Sequence, residues 1–143
     1  MSKQVLDIQQ MQHLEELGVD TSKANFYWHR TKSLNNYNDW DEWKLHYGVL
    51  RLARGFTTIY CQYVRTFTLQ DILDLLPKDI APGGNGYSLY IDYQEMRIAY
   101  CFVDRDGMCW LEPTFDLCDN ELIDAAYEML CWCAENGYVD TKK

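Results

Sequence analysis

No two of the six cysteines in this chain are separated by two to four residues. Structural zinc sites are built on such close pairs, so the spacing argues against a metal centre, and no motif calls for a cofactor. Long apolar runs are missing too. Nothing approaches the roughly 18 apolar residues of a membrane span, and the opening "MSKQVLDIQQ" lacks the apolar stretch of a secretory signal. The expectation is a cytoplasmic protein with reduced thiols and no membrane partner. Cations are scarce in one half. Residues 66–143 carry five Lys/Arg against fifteen Asp/Glu, whereas residues 1–65 carry eight against seven. With a net charge of −9, the acidic half repels a phosphate backbone, which disfavours nucleic acid. It suits a basic protein partner instead. The hydrolase signatures G-x-S-x-G and H-E-x-x-H are absent as well.

What is present is enough chain for one domain, residues 1–143, with a real core. Aromatic residues reach 15%, more than a core of this size needs. Tyr and Trp favour half-buried positions with a polar tip exposed, so some of them belong at a surface.

Three helices are legible. Asp7 and Gln10 form a capping box, a stripe through Ile8, Met11, Leu14 and Leu17 follows, and Gly18 ends the helix with Val19 folding back on Leu14. Thr68 and Asp71 cap the second helix. Its buried face is Leu69, Ile72, Leu73 and Leu76, and Pro77 stops it. The third starts at Asp119 and ends at Asn136-Gly137, with Leu122, Ile123, Ala126, Met129, Leu130, Cys133 and Ala134 on one arc. Strands are expected at Phe26–Arg30, at "KLHYGVLRL" with a break at Gly48, and at Thr57–Val64. Three more run through Leu89–Tyr93, Met96–Phe102 and Met108–Glu112, with a hairpin turn at Asp104–Gly107. The reading is an α+β domain: antiparallel meander sheets with about three helices packed on one face. Two successive helix-plus-meander halves hint at a pseudo-repeat, without a residue match between them.

Most tempting motifs dissolve under this placement. Cys131 and Cys133 point roughly 160° apart on a helix, so they share no ion and do not pair. Cys133 belongs to the core and Cys131 to its edge. Cys61, Cys101, Cys109 and Cys118 fall on strands or a link. Asp104 and Asp106 begin like a calcium loop, but Gly107 comes too early. "PGGNG" leads into a strand, so no helix terminus faces a phosphate. Arg51, Arg54 and Phe56 in "RGFTTIYCQYVR" resemble the start of an RNA-recognition strand, but Thr58 stands where the next stacking aromatic belongs.

Two surfaces remain. Trp28, Trp40, Trp43 and Tyr47 lie in or beside the polar stretches "FYWHR" and "NDWDEWKLHY"; either Trp40 and Trp43 fold back over a small core, or all four form a recognition surface. Trp28, His29 and His46, with nearby tyrosines, are an alternative pocket for a small molecule or peptide. Glu121, Asp124, Glu128 and Glu135 make an acidic face on the last helix.

At "MQHLEELGVDTSKANFYWHR", "FTLQDILDLLPK" and "LIDAAYEMLCWCAENGYV" the chain resembles small proteins encoded in phage-like and mobile elements of gut Bacteroidales. The resemblance covers about a third of the chain and implies a bacterial or phage cytosolic setting and an accessory role. It carries no catalytic residues. The expected function is therefore a non-enzymatic protein–protein interaction module, inhibitor- or immunity-like, with an acidic binding face. The alternatives are the pocketed binder or cryptic enzyme, and a weak single-strand nucleic-acid binder.

Overall fold

The computed structural model describes residues 3–33, 40–48, 58–92, 97–116 and 121–141. Its elements are α1 (Ile8–Glu16), β1 (Phe26–Ser33), β2 (Lys44–Tyr47), β3 (Thr58–Thr66), α2 (Leu69–Leu75), β4 (Asp79–Ile80), β5 (Tyr87–Asp92), β6 (Arg97–Asp104), β7 (Gly107–Asp116) and α3 (Leu122–Glu135). The class is α+β, and both sheets are antiparallel. Asp39, Arg51, Arg54, Phe56, Thr57, Tyr93, Met96, Cys118 and Asp119, to which the sequence assigned roles, lie outside the described residues.

Local chemistry explains the helix ends. The Asp7 carboxylate accepts from the Gln10 N–H at 2.8 Å, and the Gln10 side chain accepts from the Asp7 N–H at 3.1 Å, which closes the capping box of α1. Thr68 and Asp71 do the same for α2. Leu76, the residue before Pro77, is already extended at ψ 131°, as a pre-proline residue must be. Gly18 and Gly137 take positive φ, and the next N–H in each case reaches back, Val19 to Leu14 and Tyr138 to Cys133. Glu121 is the N-cap of α3, with no side-chain cap bond.

The two sheets differ in order. The second, β4-β5-β6-β7, is a meander. Its β6–β7 turn is the expected one: Asp104 pairs with Gly107, whose φ is 123°. The first is β2-β1-β3. Here β1 lies between two partners, so the first sheet is not a meander and the halves are not topological repeats. The β1-to-β2 link folds back at Thr31, whose carbonyl accepts from the Asp41 N–H at 2.9 Å and whose hydroxyl donates to the Asp41 carboxylate at 3.0 Å.

One core draws on both halves of the chain. Met11 and Leu14 of α1, Ile72 of α2, Ile98 and Tyr100 of β6, and Ile123, Met129, Leu130 and Cys133 of α3 meet there with Leu6 and Phe67. Helix α3 packs on β6 and β7 and against α2, while α1 packs beside β3. Among the described residues no helix is long and apolar enough to cross a membrane.

Candidate functional site

Cross-strand register sorts the first sheet into two faces, because directly opposed residues share a face. Tyr47–Phe26–Thr66 and Leu45–Trp28–Val64 make rows of one face, continued by Arg30–Gln62. This is the inner face. Thr66 is fully buried, and its hydroxyl donates to the Leu6 carbonyl at 2.7 Å. The Trp28 indole N–H donates to the same carbonyl at 3.0 Å. Trp28 is thus a pin between sheet and core.

Further out on that face lies a cation–π stack. The Arg30 guanidinium sits 5.0 Å from the Trp40 ring centre and 4.5 Å from that of Trp43. Its Nε–H donates to the Gln62 side chain at 2.7 Å. The Lys32 ammonium lies 5.4 Å from Trp40. Contacts of this kind are worth about 0.5–1 kcal/mol at exposed sites. Both tryptophans are half-buried; they are spent on Arg30, neither filling the core nor standing free. Tyr47 is different. It is 72% exposed, with its ring 4.9 Å from Phe26.

The outer face carries Tyr27–His46–Arg65 and His29–Lys44–Tyr63. Tyr27 and His46 stack at 5.5 Å and 16° between planes, and His29 meets His46 edge-on at 5.5 Å. Burial, the His46 ring and Lys44 together lower the His29 pKa below its usual value. His29 and His46 are brought together, but Trp28 faces the other way. The pocket of Trp28, His29 and His46 is not assembled as a unit, because successive strand residues point to opposite sides.

On α3 the predicted acidic residues are unequal. Asp124 is half-buried and accepts from the Lys3 ammonium at 2.8 Å and the Gln10 amide at 3.0 Å. Burial alone would raise its pKa; the Lys3 and Gln10 hydrogen bonds outweigh it and hold the carboxyl low. Glu121 accepts the Lys3 backbone N–H. Both belong to a clasp that ties the chain's start to α3. Glu128 and Glu135 are exposed.

The thiols of α3 are packing groups. Cys131 and Cys133 are buried, and burial pushes each up to about 11. Cys133 donates to the Tyr100 hydroxyl at 3.6 Å, and Tyr100 donates to the Pro77 carbonyl at 2.7 Å. Among the described residues no three His, Cys, Asp or Glu side chains gather in a way that could hold a metal ion.

Sequence reading missed Lys23, Tyr27, Lys44 and Tyr63. The signal was there in part. Tyr27 and His29, like Tyr63 and Arg65, alternate with apolar Phe26, Trp28 and Val64, the period of a strand with one open side. In comparisons with known proteins, no family model matches this chain, and no curated protein or solved structure gives a significant match.

Proposed function

We propose that this chain is a non-enzymatic protein-interaction module, cytoplasmic, that docks through the aromatic end of its first sheet and is steered by its acidic half toward a basic protein. The observation that carries this reading is strand β2. All four of its residues are exposed, with Leu45 at 37% and Tyr47 at 72%, and Trp43 stands at its start. An exposed aromatic side chain such as Tyr47 is a natural anchor, the kind of residue on which interface energy concentrates. The strand is short and contains Lys44, features that oppose edge-to-edge strand addition. Recognition is therefore by side chains. Glu128 and Glu135 supply field at a distance, which acts on association rate more than on affinity. An accessory role of inhibitor or immunity type agrees with the resemblance to mobile-element proteins.

The test is comparative capture. Immobilised protein, a Leu45→Ala/Tyr47→Ala variant and a Glu128→Gln/Glu135→Gln variant are exposed to the same bacterial lysate, and retained proteins are identified by mass spectrometry. A basic protein held by the parent, lost by the sheet variant, and associating more slowly with the glutamine variant supports the reading. Equal retention by all three rejects it.

A further inference from the structure

At the end of the first sheet where β1 begins and β2 stops, a cleft of about 500 Å³ opens, within the span of small-ligand sites. Its charged lining groups are Lys23 and Arg65, and its aromatic ones are Tyr27, Tyr47 and Tyr63. In a chain with 22 Asp/Glu against 13 Lys/Arg, no carboxylate among the described residues lines it. The cleft is held in shape. One Arg65 Nη donates to the Ala24 carbonyl at 3.2 Å, which fixes one side of the guanidinium fork and leaves the rest facing solvent. The Gly48 N–H donates to the Asn25 carbonyl at 2.8 Å and ties the end of β2 to the start of β1. Tyr27 is backed by its stack on His46.

Arg65 is the principal anion-selecting group, because its planar fork matches phosphate best; Lys23 stands at the rim, shared with the neighbouring acidic hollow. Tyrosine rings supply faces on which a flat ring stacks. The size of the ligand is set by the cleft's own volume, about 500 Å³, which suits one ring and one phosphate group. On one side, beyond Lys23, lies a hollow lined by Asp20, Asp71 and Asp74. On the other, past His46, a hollow of about 220 Å³ carries Arg30 and Lys44 together with Asp41 and Glu42. Among the described residues, a polynucleotide leaving the cleft past Lys23 meets carboxylates, and one leaving past His46 meets charges of both signs. We infer that the cleft binds a planar ring carrying a single phosphate, the chemistry of a nucleoside monophosphate, with the ring against the tyrosines and the phosphate on Arg65 and Lys23. This goes beyond the docking reading and stands without it.

The test is calorimetric titration of the full chain with AMP and UMP, and separately with adenosine, inorganic phosphate and oligo-dT. Sub-millimolar binding of a mononucleotide is expected, at least tenfold tighter than adenosine or phosphate alone. Arg65→Gln and Tyr63→Ala, both at exposed positions, each weaken it about tenfold, the scale of one charge-assisted hydrogen bond or one stacked ring. Lys78→Gln, outside the cleft, leaves it unchanged. Thermal melting by circular dichroism confirms that the variants are folded. The inference is overturned if neither mononucleotide binds, if binding survives both variants, or if oligo-dT binds more tightly than the mononucleotides. Tyr47 lines the cleft as well as the docking surface, so Leu45→Ala, outside the cleft, separates the readings: it weakens capture of a protein and leaves mononucleotide binding unchanged.

Discussion

Strands β6 and β2 are opposites. Ile98, Ala99, Tyr100 and Cys101 are four successive buried residues on β6, whereas Lys44, Leu45, His46 and Tyr47 are four successive exposed ones on β2. The first strand is covered on both sides, by α3 within and by Trp110 and its neighbours without. Arg97 stacks on Trp110 at 3.9 Å, and Tyr90 meets it edge-on at 6.3 Å. The second strand is covered on neither side. One region is therefore stabilised by area removed from water. The other is stabilised by ladder hydrogen bonds, an Arg–Trp stack and a few pins to Leu6, which leaves its aromatic rings available for contact.

This contrast breaks most decisively in the core. Leu130→Ala is expected to cost about 2–5 kcal/mol, because a fully buried side chain leaves a cavity. Denaturant unfolding measures it, and a loss below 1 kcal/mol would mean that the packed region is looser than its burial suggests. Next come the pins. Trp28→Phe or Thr66→Val alone should cost about 1 kcal/mol, since the Leu6 carbonyl keeps one donor. The double variant should cost about 3 kcal/mol, because that carbonyl is then bare. Additive losses in the double-mutant cycle would show that the two donors act independently.

Smaller effects sharpen the picture. Asp124→Asn should cost about 1 kcal/mol near neutral pH, by loss of a half-buried ion pair with Lys3. The folded carboxyl titrates below its unfolded counterpart, so its stabilisation is complete above the unfolded value of about 3.9 and is lost as pH falls through the folded one. The difference between parent and variant melting temperatures should accordingly vanish in acid; a difference that persists there would assign the effect to shape and not to charge. Smallest of all, Leu45→Ala should change stability by less than about 0.5 kcal/mol. A larger loss would place β2 within the cooperative core and undo the comparison.

The packed region was the legible one. Its signals are local: Asp7 with Gln10, Thr68 with Asp71, Pro77, Gly107 and Gly137 each act on backbone within a few residues, and the apolar arc of α3 is a single-helix property. The open sheet was less legible because its arrangement is set by pairing between distant strands. Nothing in the sequence says that Tyr27 will stand opposite His46, or that Arg30 will lie between Trp40 and Trp43. The central position of β1, which turns an expected meander into the order β2-β1-β3, depends on the same long-range choice. On the last helix Glu128 and Glu135 are exposed, but Lys3, more than a hundred positions away in sequence, takes up Asp124.

The Leu6 peptide joins these two worlds. Its carbonyl receives Trp28 and Thr66 from the sheet, its N–H donates to the Phe67 carbonyl at 3.0 Å, and Asp7, the next residue, caps α1. A load applied to the sheet by anything that grips it has a hydrogen-bonded route through this residue to the first turn of α1, beside the packing of that helix on β3. Slowed or quickened amide exchange in residues 8–11 would then serve as a built-in gauge of occupancy at a surface those residues never touch.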